Sequence, residues 1–374
     1  MVFKAYKTVV FLLFAVLLSC NKSDNLIEDA DFHIALPTAP VKVINTNGTW
    51  LVYDLHIKTP HLEKVDIIYD DSLLLSYTDF ISRNDLHIAH IWIEYPESGW
   101  EKEKILHTFE YKDTNNSFQV FTFPLQVETQ YPNPKTIQFP VPEGVWLAEG
   151  APGSTSYHTR AIFPFQDIQF DETQNGYLIG NNPQRYAIDY ALMVNNLPYI
   201  NNGEQLTDWH CYNLPVKAVE GGKVIFTENN IPDNTTPGKL DYETNTSNAS
   251  GNVVYIEHLD GTISTYCHLI PNSILVSVGD IVNTGQVLGR LGNSGNSFAP
   301  HLHMHLLTNP ENKELEEYAD GLFMESLPYT LPEFIKLGAL PPGYLDEKPI
   351  TPFSPNLHEV FIDKLPSESD VIEF

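Results

Sequence analysis

Apolar and polar residues alternate along much of the first third of the chain. Leu51, Tyr53, Leu55 and Ile57 are separated by more polar residues, and this period of two is typical of a strand with one buried face. Similar short runs, broken by Pro, Asn and Asp, follow at residues 65–69, 87–95, 104–111 and 118–127. Five or more short strands at this spacing predict a β-sandwich-like domain over residues 32–142.

A second series of short β segments follows a Pro- and Gly-containing stretch at residues 140–153, which we interpret as a linker. Residues 216–219 and 223–227 flank Glu-Gly-Gly and predict a hairpin, and residues 253–257 and 262–268 flank Leu-Asp-Gly and predict another. The fold class is therefore predicted to be mainly β, with a second domain over residues 146–310. The proline-rich residues 311–374 are predicted to form an extension that wraps the surface.

The N-terminus has the features of an export signal. Lys4 and Lys7 precede an apolar run at residues 9–18 that is too short to span a bilayer as a folded helix. Leu-Leu-Ser-Cys then resembles the lipobox of bacterial lipoproteins, which implies a signal peptide over residues 1–19 and a lipidated Cys20. An ordinary secretory signal that ends near a cysteine is the alternative.

Residues 20–31 are predicted to be a tether beyond the anchor. Asn21 follows Cys20 where an aspartate would retain a lipoprotein at the inner membrane, by resemblance to enterobacterial sorting rules. We therefore expect an exported protein anchored by lipid in the cell envelope, at the outer membrane. The sequence does not indicate which leaflet of that membrane carries the anchor.

Composition and charge limit the classes of partner. The chain has 374 residues, enough for two cores, and its formal net charge is −27. Such a surface repels nucleic acid and anionic lipid, so neither is an expected partner. Cys211 and Cys267 could form a disulfide in an oxidising compartment or remain buried thiols, and the sequence leaves both possibilities open, as it does the oligomeric state.

The most informative segment is Pro300-His301-Leu302-His303-Met304-His305. Side chains on a strand alternate between faces, so the three histidines should point the same way, and two imidazoles at this spacing could serve one reacting centre. Tyr-Cys-His268-Leu supplies another histidine, and Tyr-Ala-Ile-Asp189-Tyr supplies a carboxylate among apolar residues. A buried aspartate is costly unless it is paired or bound to metal. The histidines of the first domain lack such a pattern, and we predict structural or surface roles for His56, His61, His87, His90 and His107.

These motifs resemble the LytM/lysostaphin family of zinc endopeptidases, which hydrolyse peptidoglycan. The resemblance extends over about residues 146–310 and is most specific over residues 266–303, which also contain Val-Gly-Asp, Gly-Gln and Ala-Pro-His-Leu-His. It implies that the second domain has the LytM-type antiparallel β-sheet, similar to a duplicated hybrid motif. It also implies that the domain binds zinc.

Carried over by position, the resemblance implies that Asp189 and His303 are zinc ligands and that His301 and His268 are catalytic histidines without metal. The family's remaining ligand is usually a histidine four residues before the aspartate, but Arg185 stands there. Family members with longer spacing carry this histidine further upstream, and His158 in Ser-Tyr-His-Thr-Arg matches that version. We predict His158 as the third ligand, with His210 as the alternative.

Two histidines and one aspartate would leave a fourth zinc position for water, as catalytic zinc sites do. His301 would then act as general base and His268 would stabilise developing charge, whereas His305 is interpreted as a wall residue of the site. The predicted function is a zinc endopeptidase that cuts peptidoglycan stem peptides or cross-links. The alternatives are a non-catalytic relative that binds wall or activates an amidase, and a surface-binding lipoprotein built on the β-sandwich. The bond cut and the role of the first domain stay open.

Overall fold

The computed structural model describes residues 32–83, 85–161, 182–245, 247–308, 324–346 and 350–374, and the backbone alone of 25–29, 170–171 and 176–177. The described residues are almost entirely β and include no α-helix, which confirms the predicted fold class. Two single turns of 3-10 helix lie at Leu206–Asp208 and Tyr344–Asp346. None of the helices found in these ranges is long and apolar enough to cross a membrane.

Two antiparallel sheets form the N-terminal domain, and they pack face to face over one apolar core. The first sheet has the order β1-β2-β4-β8-β7 with β3 paired to β4, and the second has the order β10-β9-β5-β6. The bounds of these strands are β1 Asn25–Asp29, β2 Phe32–Ala35, β3 Val41–Asn45, β4 Gly48–Lys58, β5 His61–Tyr69, β6 Ser72–Tyr77, β7 Ile81–Arg83, β8 Leu86–Glu94, β9 Lys104–Lys112 and β10 Phe118–Gln126.

The described residues of the second domain are built on one large sheet, with the order β20-β17-β18-β19-β22-β15-β12-β27-β25-β26 and with β23 paired to β22. Three small sheets pair β11 with β24, β13 with β14, and β16 with β21. The bounds of these strands are β11 Lys135–Thr136, β12 Val145–Glu149, β13 Phe170–Asp171, β14 Gly176–Tyr177, β15 Ile188–Leu192, β16 Pro215–Lys217, β17 Gly222–Glu228, β18 Asn252–Glu257, β19 Thr262–Leu269, β20 Ile281–Val282, β21 Val287–Arg290, β22 Leu302–Thr308, β23 Glu325–Leu327, β24 Tyr329–Thr330, β25 Phe334–Ala339, β26 Glu359–Phe361 and β27 Asp370–Glu373.

The alternation of side chains along β4 determines which of its residues lie in the core of the first domain and which lie on the outer face. The odd-numbered apolar residues of β4, such as Tyr53 and Leu55, lie in the core between the two sheets. The even-numbered residues, such as Val52 and Asp54, point to the opposite face. That outer face is covered by the second domain, because Tyr186 lies with Val52 in a small buried apolar cluster.

Two predicted boundaries differ from the structure. Residues 25–29, placed in the tether, form β1, whose backbone pairs with β2 and so covers an open edge. Residues 135–142, placed in the first domain, pack on the second, since β11 pairs with β24 and Ile137 lies in the larger core. The signal peptide and Cys20 lie outside the described residues.

The C-terminal segment, predicted to wrap the surface, is instead part of the large sheet. β27 lies between β12 and β25 and is hydrogen-bonded to both. Its residues Val371 and Ile372 are fully buried in the larger core. The extension is therefore a structural component of the second domain.

Candidate metal centre

The register of three neighbouring strands brings the central residues of the site together. Asp189 on β15 lies directly opposite His303 on β22, and His303 lies opposite Cys267 at the end of β19. Directly opposite residues of antiparallel strands have their Cβ atoms about 5 Å apart. The side chains of Asp189 and His303 are therefore neighbours because of sheet register, although they are far apart in the sequence.

His158 reaches the same point from a turn that follows β12. One potential ligand atom from each of His158, Asp189 and His303 lies within 4.8 Å of the other two, and all three residues are buried. His303 Nδ1 lies 2.8 Å from one carboxylate oxygen of Asp189, and His158 Nε2 lies 3.5 Å from the other. The structure thus brings together the three residues that the sequence predicts as ligands.

The outer nitrogens of the two imidazoles are held by hydrogen bonds. His158 Nδ1 lies 2.9 Å from the carbonyl oxygen of Gly150 and donates to it. His303 Nε2 lies 3.0 Å from Nδ1 of His305. Each ring therefore turns its other nitrogen toward Asp189, and a partner on the far side of a ligating histidine fixes both tautomer and ring orientation.

The electrostatics of the cluster favour a neutral histidine beside an ionised aspartate. Burial lowers the pKa of His158 to about 4, although the nearby Asp189 acts in the opposite direction. Burial alone would raise the pKa of Asp189, but His158, His301 and His303 hold it well below its usual range. Neutral imidazole and ionised carboxylate are the forms that bind a metal ion.

Two further histidines face the same cluster. His301 Nδ1 lies 2.8 Å from the carbonyl oxygen of Ala299, and its Nε2 lies 3.6 Å from Asp189. His268 Nδ1 lies 2.7 Å from the carbonyl oxygen of Ser294, and the ring centroids of His268 and His301 are 4.7 Å apart. His268 has a φ of +63°, a left-handed conformation that is uncommon outside glycine and clusters at functional sites.

The donor set fits a divalent metal ion. Two imidazole nitrogens and one carboxylate oxygen are the ligands of many catalytic zinc sites, which keep a fourth position for water or substrate. Ligands about 2.0–2.1 Å from a tetrahedral centre lie about 3.4 Å from one another. The 3.5 Å separation of His158 Nε2 and Asp189 matches this spacing. The 2.8 Å contact between His303 Nδ1 and Asp189 is a hydrogen bond, and these two side chains would move apart by about 0.6 Å to hold a metal ion. The residues could therefore hold zinc without rearrangement of the strands.

A cavity of about 540 Å³ opens onto this cluster. All six histidine and aspartate residues named above line it, together with apolar side chains that include Tyr255, Leu307 and Met324. The cavity combines an apolar wall with a few convergent polar groups, which is the usual composition of a binding site.

The alternatives raised by the sequence lie elsewhere. His210 is only half-buried and lies outside the lining of this cavity as it is formed by the described residues. Cys211 and Cys267 are both buried and free, and Cys211 Sγ lies 3.0 Å from the carbonyl oxygen of Pro300. The thiol of Cys211 therefore supports the backbone next to His301, and no disulfide joins the two cysteines.

Two residues of the site were not identified from the sequence. Tyr157, adjacent to His158, donates from its hydroxyl to a carboxylate oxygen of Asp189 at 2.7 Å. Gly150 supplies the carbonyl that orients His158, and its φ of +59° is left-handed. In the sequence, Gly150 lies in the stretch that is interpreted as a linker, where a glycine is common in ordinary turns.

Gly150→Ala is expected to weaken metal binding and to destabilise the fold. An added Cβ would lie 2.5 Å from the Tyr157 ring and 2.7 Å from His158 Nδ1, so both side chains would have to move. Overpacking of this kind costs about 1–3 kcal/mol. Gly261→Ala is the matched control, because Gly261 also has positive φ, +80°, but an added Cβ meets nothing within 4 Å. Thermal unfolding and metal titration of both variants test this, and equal metal affinity in the two would contradict it.

Comparison with known proteins places the second domain in a family. The model for "Peptidase family M23" matches residues 203–314, which include His268, His301 and His303. Over 64 residues the chain is 42% identical to the peptidoglycan DD-endopeptidase ShyC of Vibrio cholerae serotype O1, a match that covers 17% of this chain and 14% of that protein. It is 33% identical over 96 residues to the glycyl-glycine endopeptidase ALE-1 of Staphylococcus capitis, covering 25% and 22% respectively.

Two further similarities complete the comparison. The chain is 28% identical over 107 residues to the cell division protein DipM of Caulobacter vibrioides, covering 29% of this chain and 16% of that protein. Among solved structures, the catalytic domain of lysostaphin from Staphylococcus simulans aligns with 36% of this chain and 79% of its own, at 24% identity and a TM-score of 0.22. The matches to ShyC, ALE-1 and DipM each span less than a quarter of the relative's length. The chain therefore carries a domain of peptidase family M23.

Proposed function

We propose that the protein is a zinc-dependent endopeptidase that hydrolyses peptide bonds in the stem peptides or cross-links of peptidoglycan. The observation that carries the proposal is the convergence of His158, Asp189 and His303 in a buried cluster, with two more histidines beside it. The M23 match supports a peptidase. Peptidoglycan as substrate is supported by the relative named a peptidoglycan DD-endopeptidase.

The side chains around the cluster have different roles in the proposed hydrolysis. Zinc held there supplies Lewis acidity to the attacking water and to the carbonyl of the scissile bond. His301, whose Nδ1 is held by Ala299, presents Nε2 to the cluster and takes a proton from the attacking water as general base. His268 is held in the same way by Ser294, so its neutral form offers a lone pair at Nε2. With that lone pair, His268 accepts a hydrogen bond from the attacking water and orients it for proton transfer to His301.

Metal removal and digestion of purified peptidoglycan test this proposal. We expect about one zinc per chain, release of new amino groups from peptidoglycan, loss of that activity with a chelator, and its return on addition of zinc. Substrates with direct cross-links and with glycine bridges should be compared, because the relatives are named for both kinds of bond. A zinc-loaded protein that releases no fragments from either substrate would exclude an endopeptidase.

A non-catalytic protein that binds cell wall or activates an amidase is the second candidate. It is supported by the match to a relative named for cell division, not for hydrolysis. Zinc content and turnover distinguish the two candidates, because a non-catalytic protein would bind peptidoglycan without releasing amino groups.

We propose further that the protein is exported and anchored by lipid at Cys20, on the basis of the lipobox-like Leu-Leu-Ser-Cys that follows an apolar run. Cells fed a clickable fatty acid should label the wild-type chain. Cys20→Ala should abolish the label and release the protein from the membrane fraction, whereas Cys211→Ala should do neither. A labelled Cys20→Ala variant would contradict the anchor.

A further inference from the structure

A buried ion pair joins the two domains close to the candidate metal centre. Arg185 donates from both terminal nitrogens to the carboxylate of Asp54, at 2.7 and 2.6 Å. Asp54 lies on the outer face of β4 and is 1% exposed, and Arg185 is 3% exposed. Burial acts to raise the pKa of Asp54, but Arg185 and His90 hold it well below its usual range. Both groups are therefore charged inside the interface.

The same arginine is connected to the segment that carries His158. Arg185 Nε donates to Glu325 at 3.0 Å, and the other oxygen of Glu325 accepts the backbone N–H of Asn182 at 3.0 Å. The fully buried Asn182 side chain then donates to the carbonyl oxygens of His158, at 3.0 Å, and Thr159, at 2.7 Å. Thr159 Oγ1 donates to the carbonyl oxygen of Arg185 at 3.3 Å, so the hydrogen bonds form a closed network that returns to Arg185.

This link accounts for how a histidine outside the sheet keeps its position. Asp189 and His303 are fixed by strand register, whereas His158 lies in a turn that has a few long backbone hydrogen bonds and is held in addition by side-chain hydrogen bonds. The carbonyl of His158 is held from one side by Asn182, while its ring is held from the other side by Gly150. A ligand position set by a network of buried hydrogen bonds weakens when one member is removed.

We propose that Asp54 of the N-terminal domain acts through Arg185 as a positioning residue for His158. The N-terminal domain is then a structural part of the metal centre and not a spacer. The inference rests on the proposed function, in which His158 helps to hold zinc.

The test uses the full chain and two variants that break the link at opposite ends. Asp54→Asn removes the charge that Arg185 pairs with, and Asn182→Ala removes the donors to His158 without leaving a buried charge unpaired. Val52→Ala is the matched control. Val52 is buried two residues from Asp54 on the same face of β4 and lies with Tyr186 in a small buried apolar cluster, but it makes no part of the link.

Zinc affinity is measured by competition with a chromophoric chelator, and the metal geometry by the visible absorption of the cobalt(II)-loaded protein. We expect about tenfold weaker zinc binding and altered cobalt absorption for Asp54→Asn and Asn182→Ala, in the range for residues that support metal ligands. Val52→Ala should lower the melting temperature but leave both readouts unchanged.

Three outcomes would overturn the inference, and they are distinguishable. Wild-type zinc affinity and cobalt absorption in both link variants would exclude the positioning role while the proposed function stands. An equal loss of zinc affinity in Val52→Ala would show that any damage to the interface has this effect. A wild-type chain that binds no zinc would overturn the proposed function and, with it, this inference.

Discussion

His158→Ala is expected to abolish zinc binding and peptide hydrolysis. His158 supplies one of the three ligand atoms that lie within 4.8 Å of one another, and this is the group of possible metal ligands found among the described residues. Loss of a direct ligand should weaken zinc binding by more than the roughly 10–100-fold seen for supporting residues. Metal content after dialysis and release of amino groups from peptidoglycan measure the two effects.

His210→Ala is the control for this experiment, because His210 is the alternative third ligand suggested by the sequence. It lies outside the cavity, and its removal should leave zinc content and hydrolysis unchanged. The opposite pattern, with activity lost in His210→Ala and retained in His158→Ala, would contradict the assignment of the ligands and the arrangement described for the turn at residues 150–160.

His301→Ala is expected to separate zinc binding from catalysis. The Nε2 atom of His301 lies 3.6 Å from Asp189, close enough to reach a water at the cluster, but His301 is not part of the metal-ligand group found among the described residues. A positioned general base contributes about 10²–10⁴-fold to the rate, so kcat should fall by that factor with zinc still bound. Steady-state kinetics on a soluble cross-linked peptide, together with metal analysis, make the measurement.

His358→Ala is the matched control for the loss of a histidine, since His358 is exposed and far along the chain from the cluster. It should not change kcat. If His301→Ala lost zinc in proportion to activity, His301 would be a ligand, and if it kept full activity, another group would be the base.

The sequence predicts the parts of this fold that depend on local pattern. Alternation places strands at residues 51–57 and 104–111, where the structure has β4 and β9. Residues 253–257 and 262–268 form the predicted hairpin as β18 and β19. The alternation of apolar and polar residues and the residue preferences of turns depend on a few neighbouring residues. They can therefore be recognised in the sequence without knowledge of tertiary contacts.

Pairing between distant segments could not be predicted in the same way. Residues 216–219 and 223–227 suggest a hairpin, but β16 pairs with β21, and β17 pairs with β18 and β20. Nothing in the alternation of a strand specifies its partner, because the partner is selected by packing and by the available edges.

The residues of the candidate site are likewise only partly predictable from the sequence. Asp189, His268, His301 and His303 lie in short motifs that the sequence identifies, and the structure brings them together. In the sequence, Arg185 is only a departure from the usual ligand pattern. Its pairing with Asp54 depends on contact between two domains, which has no local signature.

The position of β27 in the large sheet has a consequence for how the protein folds. β12 and β15 are synthesised long before β27, yet β27 is the neighbour that covers the other edge of β12. Until it arrives, that edge offers unpaired backbone groups to any other strand, including one from a second nascent chain. Pairing between such distant segments also slows folding. β12, which pairs with the strand that carries Asp189, therefore acquires its second neighbour only after β27 has been synthesised, and until then its open edge favours aggregation.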